Sequence, residues 1–407
     1  MLRRLTFLAL LTSACLHHAA PPVGDPDGAA EALAKRDGPF AVDAKGVWQP
    51  IVDSAVRFVG ERGARVRLLG LDANPQGVVV ALAHEGGVAM KGVHLAGGAG
   101  VLLARLDPAG APRWKLDFQG GRMELLRLRL ADDGAVVLNA RSDGHVVPER
   151  GTLESDDFVY VVDNEAAKPW STGWFHDRYG RTTAVEARGY RKLVQAGELD
   201  GPRPGVEPWQ AYVEGMDLPR QVFGSDQPVH VSYLSTYEDW TVLAGSFEGT
   251  LAAGGRPPIQ SRARTAFVAA LEPEGRVAWL APIYPPAPGA TLEPLALRAD
   301  ADGIHLGLAA LLPGGARSLI AAELGGDGTV VSSCELGQGE ALDLGFAGEL
   351  TYLLGADGAR FFGPGCQLQA RLVARPGERV AALRPVDTRV LVGVDTGAGS
   401  ELRWLRK

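Results

Sequence analysis

Cysteine is scarce. Three residues in 407 cannot build a disulfide scaffold or a four-cysteine zinc site. Excess positive charge is missing too: 41 Lys and Arg face 48 Asp and Glu, for a net charge of −7, so nucleic acid is not an expected partner. Beyond the N-terminus no apolar run approaches the roughly 20 residues that a membrane-spanning helix needs. There is no Gly-x-Ser-x-Gly elbow, no His-Glu-x-x-His helix and no phosphate loop, and the 8 histidines are scattered. No cofactor is expected, and catalysis is not the leading reading. What the chain does have is a 46% apolar composition with 22% charge, enough to bury a core. Its 53 glycines and 27 prolines suit many short strands joined by many turns.

The N-terminus carries an address. Arg3-Arg4 precede the apolar stretch Leu5 to Leu11, and Thr12-Ser13-Ala14 lead to Cys15. A short basic start, a short apolar stretch and small residues before a cleavage point form an export signal, here residues 1–14. Ser13-Ala14-Cys15 resembles a bacterial lipoprotein lipobox, with one departure: Thr12 stands where leucine is usual, and Leu11 sits one place early. The resemblance implies that Cys15 becomes the first residue, is lipidated, and tethers the protein to a membrane in the cell envelope, as an outer-membrane lipoprotein. The alternative is ordinary cleavage near Ala14 or Ala20 and release of an exported protein. Residues 15–45, rich in Ala, Pro, Gly and Asp, read as a flexible tether.

Residues 46–407 are repetitive. The clearest unit runs from about Val229 to Tyr284 and contains Gly245-Ser246-Phe247-Glu248-Gly249-Thr250-Leu251, Gly254-Gly255, an apolar strand over Ala266 to Leu271, Glu272-Pro273-Glu274-Gly275 and Trp279. The same order recurs over 66–118, ending at Trp114, and over 120–174, with Trp170. These tryptophans are 56 and then 109 residues apart, one and two steps of about 55. Fainter copies follow, and the last, Arg379 to Lys407, is one strand short. Each unit holds about four runs of period two, split by Gly-containing turns. Such a sheet cannot bury both faces alone, so copies stack around an axis. The expected fold is all-β, a β-propeller of about seven four-stranded blades, with six or eight as the alternatives. Gly46 to Val52, or Val56 to Val59, supplies the missing strand and closes the ring. Trp114, Trp170 and Trp279, recurring at one phase, read as packing between neighbouring sheets, with a ligand site as the weaker alternative.

The order Gly-Ser-Phe-x-Gly-Thr-Leu, Gly-Gly, apolar strand, acidic-Pro-x-Gly, Trp resembles the propeller repeats of exported and lipoprotein chains from myxobacteria-like bacteria. That resemblance implies a fold and an envelope address, and no catalytic residues. Gly110-x-x-x-Trp114 and Gly275-x-x-x-Trp279 look like the Gly-to-Trp docking motif of quinoprotein-type propellers. Ala109 and Glu274 stand where that motif has threonine, and no quinone is inferred.

Few residues suggest chemistry. Trp174, Phe175, His176, Asp177, Arg178 and Tyr179 crowd one inter-blade loop and form the candidate binding loop, because aromatics with arginine anchor interfaces. The alternative is a loop folded over sheet edges. Asp300 and Asp302 are weak candidates for calcium; a tight Asp-Gly turn explains them as well, and no metal is assigned. Cys334 and Cys366 pair in an oxidising compartment or remain two buried thiols. The leading expectation is a propeller that serves as a protein-binding or scaffold surface in the envelope, its partner a protein or glycan. The first alternative is a carbohydrate- or small-ligand-binding propeller, marked by a polar, aromatic-lined central funnel. The second is a propeller hydrolase or lyase.

Overall fold

The segment with the strongest repeat folds into four antiparallel strands paired in sequence order, Val229–Tyr237, Trp240–Ala253, Ile259–Leu271 and Val277–Ile283. The same meander recurs through the chain of this computed structural model. It describes residues 40–406 except 44, 91–92, 144–145, 151–152, 154–156, 167–168, 173–179, 190–191, 200–208 and 398. Ahead of this meander lie Val66–Asn74 with Gly77–His84, Gly100–Leu106 and Pro112–Gln119; then Met123–Leu130 with Val136–Ser142, Asp157–Val162 and Trp170–Thr172; then Gly180–Gly189 with Lys192–Leu199, Trp209–Gly215 and Gln221–Ser225. Behind it lie Thr291–Asp300 with Gly303–Leu311, Arg317–Leu324 and Val330–Gln338; then Asp343–Ala347 with Leu350–Gly355, Gly358–Gly363 and Gln367–Val373. The final group, Arg379–Val386, Arg389–Thr396 and Gly399–Arg406, has only three strands of its own.

Among the described residues, hydrogen bonding joins these strands, together with Ile51–Gly60, Val88–Met90, Val93–Ala96 and Val147–Pro148, into six sheets of six, five, four, eight, four and four strands. The eight-stranded sheet holds two meanders. Trp240–Ala253 is long enough for its far end to pair with Gln221–Ser225 of the meander before it, with Phe223 opposite Ala253. The first strand of every meander touches the first strand of the next, and Arg379–Val386 touches Val66–Asn74. The first strands therefore form a closed inner ring, and the fold is a β-propeller.

Closure comes from the N-terminal side. Ile51–Gly60 pairs antiparallel with Gly399–Arg406, from Ile51 opposite Arg406 to Val59 opposite Gly399. Of the two segments the sequence offers for this role, the one containing Val56 to Val59 supplies the strand. The other packs nearby: Trp48 is buried, edge-on to Phe40 and Phe361, and Val47 bridges to Arg371. Phe40, inside the stretch read as tether, thus belongs to the packed body.

Alternation along each strand gives every sheet two apolar faces, and each pair of neighbouring meanders shares one apolar cluster. Val56, Phe58, Leu82, Leu102, Leu402 and Trp404 sit across the closure. Among the described residues, the cluster that joins the 123–172 and 180–225 meanders consists of Ala, Val and Leu, with Leu193 its largest. Trp114 and Trp279 belong to these contacts. Trp114 donates from Nε1 to the Asn164 carbonyl of the next meander at 3.0 Å. Trp279 covers the turn at Gly328 of the next meander, where a Cβ would lie 2.7 Å from its Cε3. Gly328 has φ +82°, so glycine is required there twice over, by conformation and by the approaching indole. Trp170 pairs through its backbone with Val161; its side chain lies outside the described residues.

Cys334 and Cys366, on adjacent meanders, are joined as a disulfide with Cα atoms 6.0 Å apart. The bond closes a separation of 32 residues. Cys334→Ser is expected to lower the unfolding free energy by about 3–4 kcal/mol in the chain-entropy account. The urea midpoint with and without reductant checks this: reductant should lower wild type toward the variant and leave the variant unmoved.

Candidate functional site

The inner ring does not pack shut. Toward the C-terminal ends of the first strands it leaves a channel cavity of about 400 Å³. Asp72, Arg127, Arg129, Glu186, Tyr233, Ser235, Arg298, Asp343, Phe346 and Arg384 line it, and Tyr352 reaches it from a second strand. Each first strand contributes, because alternation that buries one set of side chains between sheets turns the other set toward the axis.

Polar side chains in this ring tie every neighbouring pair of meanders together. The Leu130 amide donates to Asp72 Oδ2 at 2.8 Å. Arg129 and Glu186 approach to 3.2 Å. Thr183 Oγ1 donates to the Val231 carbonyl. The Ala299 amide donates to Ser235 Oγ at 2.8 Å, and Arg298 Nη1 to the Phe346 carbonyl at 2.9 Å. Arg384 completes the circle. Its Nη1 donates to Asp343 Oδ2 at 2.6 Å and to the Tyr352 hydroxyl at 2.8 Å, and its Nε to Asp72 Oδ1 at 3.3 Å. One guanidinium thus clamps three meanders, including the two that meet at the closure.

The electrostatics follow from enclosure. Burial alone depresses Arg384, but Tyr352, Asp343 and Asp72 more than reverse this and hold it well above its usual range. Burial depresses Arg129 too, and Glu186 and Asp72 raise it again. Burial pushes the Tyr352 and Tyr233 phenols up, so both keep their protons at neutral pH. Arg127 behaves differently. Burial and the like charge of Arg129 push it down to about 10, and its Cζ lies 5.1 Å from the Tyr233 ring centroid.

A second cavity, about 560 Å³, adjoins the channel at residues 298–300. Tyr237, Trp240 and Trp279 line it beside Asp300, Asp302 and Glu323. Asp300 sits 2.7 Å from Arg298 and 3.7 Å from His305, and the Asp302 amide donates to Asp300 Oδ1 at 3.0 Å, as in a tight turn. Among the described residues no group of three His, Cys, Asp or Glu is placed to hold a metal ion. Cys15 and the loop Trp174, Phe175, His176, Asp177, Arg178 and Tyr179 lie outside the described residues.

A third constellation centres on a buried histidine. His84 Nε2 lies 3.0 Å from Asp117 Oδ1, and its Nδ1 lies 2.8 Å from the Gly86 carbonyl and 3.2 Å from that of Gly98. With an acceptor at each ring nitrogen, the geometry calls for a doubly protonated imidazolium. Gln119 Nε2 donates to the other Asp117 oxygen at 2.8 Å.

None of the channel residues stands out in the sequence as a motif. The available signal was charge interrupting the first strand of each repeat, as at Asp72, Arg127, Arg129, Glu186 and Arg384.

No family model matches the chain, and no curated protein matches it. Solved structures do. The Swd1 β-propeller domain of Myceliophteria thermophila aligns with TM-score 0.50 at 11% identity, over 88% of this chain and 100% of that one. A virginiamycin B lyase from Staphylococcus aureus, solved with quinupristin, aligns with TM-score 0.49 at 8% identity, over 87% and 100%. An oligogalacturonate lyase in complex with manganese aligns with TM-score 0.44 at 14% identity, over 86% of this chain and 97% of that one. At these identities the likeness to the first bears on fold alone, and it is a propeller fold.

Proposed function

We propose that this chain is an exported, lipid-anchored binding protein whose propeller, counted as one blade per meander, has seven blades and takes a small ligand in its axial channel. The observation that carries the reading is the channel itself, a cavity of about 400 Å³ with both charged and aromatic walls. A polar channel with aromatic residues in its wall supports the small-ligand reading over a plain scaffold. The links around the ring hold those walls on rigid strands, which favours a preformed site. Asp72, Glu186 and Asp343 are each engaged by a guanidinium, so they act as counter-ions and not as free bases. This favours binding over hydrolysis or elimination. The Cys334–Cys366 bond and the N-terminal signal support export, and Cys15 is the proposed site of the anchor.

The second reading, a protein-binding scaffold, is supported by the adjoining cleft with Trp240 exposed at its rim. A thermal-shift screen of small polar ligands separates the two. Ala347→Trp places an indole at the channel wall. The channel reading expects at least one ligand to stabilise the wild-type full chain and to lose that effect in Ala347→Trp. Ligands that stabilise both forms equally would overturn it.

A further inference from the structure

The four guanidiniums of the channel are not equivalent. Arg384 faces Asp72 and Asp343, Arg129 faces Glu186, and Arg298 faces Asp300 at 2.7 Å. Arg127 faces no carboxylate within ion-pair distance among the described residues; its close contact is the Tyr233 ring, 5.1 Å from Cζ to centroid. The N–H donors lie in the guanidinium plane and point outward from its edge, in the fork that matches two oxygens of one anion. Arg127 therefore stands on the wall of the cavity with no carboxylate partner for its fork among the described residues.

A charged group removed from bulk water without a counter-ion is costly to keep. The depression of Arg127 by burial and by Arg129 reflects that situation. Glu186 relieves it only in part, because that carboxylate already pairs with Arg129. An anion entering from the channel mouth can relieve the rest. Tyr233, still protonated at neutral pH, stands beside it as a further donor on the same wall.

We propose that the channel ligand carries an oxyanion group, a carboxylate, phosphate or sulfate, gripped by the guanidinium fork of Arg127 beside Tyr233. This inference rests on the channel reading and narrows it. A cavity of about 400 Å³ suits a small molecule and not a polymer threaded through the axis.

The test is isothermal titration of the full chain in a buffer free of competing oxyanions. Succinate, inorganic phosphate and sulfate are titrated separately, with chloride as the reference, into wild type, Arg127→Gln, Arg127→Lys and Ala347→Trp. The expected result is saturable one-to-one binding of at least one oxyanion, weakened at least tenfold in Arg127→Gln and in Ala347→Trp. Arg127→Lys keeps the charge without the fork and should fall between; it carries the comparison if Arg127→Gln does not fold. The three probes show which oxyanion the site prefers. Oxyanion binding no stronger than that of chloride, or equal in wild type and Arg127→Gln, overturns the inference. A neutral ligand that binds wild type and Arg127→Gln alike but not Ala347→Trp overturns it and leaves the channel reading standing. Ligands indifferent to both substitutions remove both.

Discussion

His84→Ala is expected to lower the unfolding free energy by roughly 3–5 kcal/mol, the cost of leaving a buried ion unpaired. The His84 side chain is fully buried and Asp117 nearly so, and no bulk water can replace the lost partner. The effect should depend on pH, with a sign that can be worked out. Burial alone pushes the imidazole down, but the hydrogen bond with Asp117, aided by the Gly86 and Gly98 carbonyls, outweighs it, and His84 ends above its usual 6.5. A raised histidine contributes stability that is fully present below about pH 6.5 and fades as pH rises through the folded value. For Asp117, burial pushes up while the hydrogen bonds from His84 and Gln119 pull down harder, so it ends below its usual 3.8. Its contribution is present above that value and is lost as pH falls through the lowered one. The pair should therefore stabilise most between about pH 4 and 6.5. Urea midpoints from pH 3 to 9 check this: the gap between wild type and His84→Ala should narrow toward both ends. A gap that does not change with pH would show that His84 acts by packing alone.

Arg384→Ala should cost about 3 kcal/mol, the low end of the range for a broken buried pair, because the side chain is 23% exposed to the channel. The loss leaves Asp72 and Asp343 facing each other without their cation and releases the Tyr352 hydroxyl. The clamp spans the closure, so the damage should spread to the strand Ile51–Gly60, visible as faster amide exchange there. Removing the charges together, in Arg384→Met with Asp72→Asn and Asp343→Asn, should recover much of the stability. A cost below about 1 kcal/mol, typical of an exposed pair, would mean that channel water screens the clamp and that apolar packing alone closes the ring.

Much of the architecture was legible because propeller strands obey local rules. Period-two runs ending in Asp-Pro-Ala-Gly or Glu-Pro-Glu-Gly mark hairpins directly: Asp107 Oδ1 accepts the Ala109 and Ala111 amides at 2.9 and 2.8 Å, and Gly110 takes φ +83°. The unit read from 229 to 284 coincides with one meander, and the shortage of one strand at the C-terminus pointed back to the N-terminal side. The channel was hidden for a different reason. Alternation says which residues share a face, but it does not say which strand of a repeat is innermost or which inner residues meet. Arg384 and Asp72 are 312 residues apart, and only ring closure brings them together. Arg127 was harder still, because its meaning lies in a carboxylate it does not face. His84 and Asp117, 33 residues apart, stand on Gly77–His84 and Pro112–Gln119, which flank Gly100–Leu106 in one sheet, a contact that spacing alone does not announce.

The most direct measurement is native mass spectrometry of the full chain isolated from its own source under mild conditions, beside Ala347→Trp prepared in the same way. The account expects wild type to carry one small anionic molecule at one-to-one stoichiometry and Ala347→Trp to carry none. Wild type that is free of any small molecule and occupied instead by a stoichiometric protein partner, retained in Ala347→Trp, would contradict it and return the propeller to the role of a scaffold.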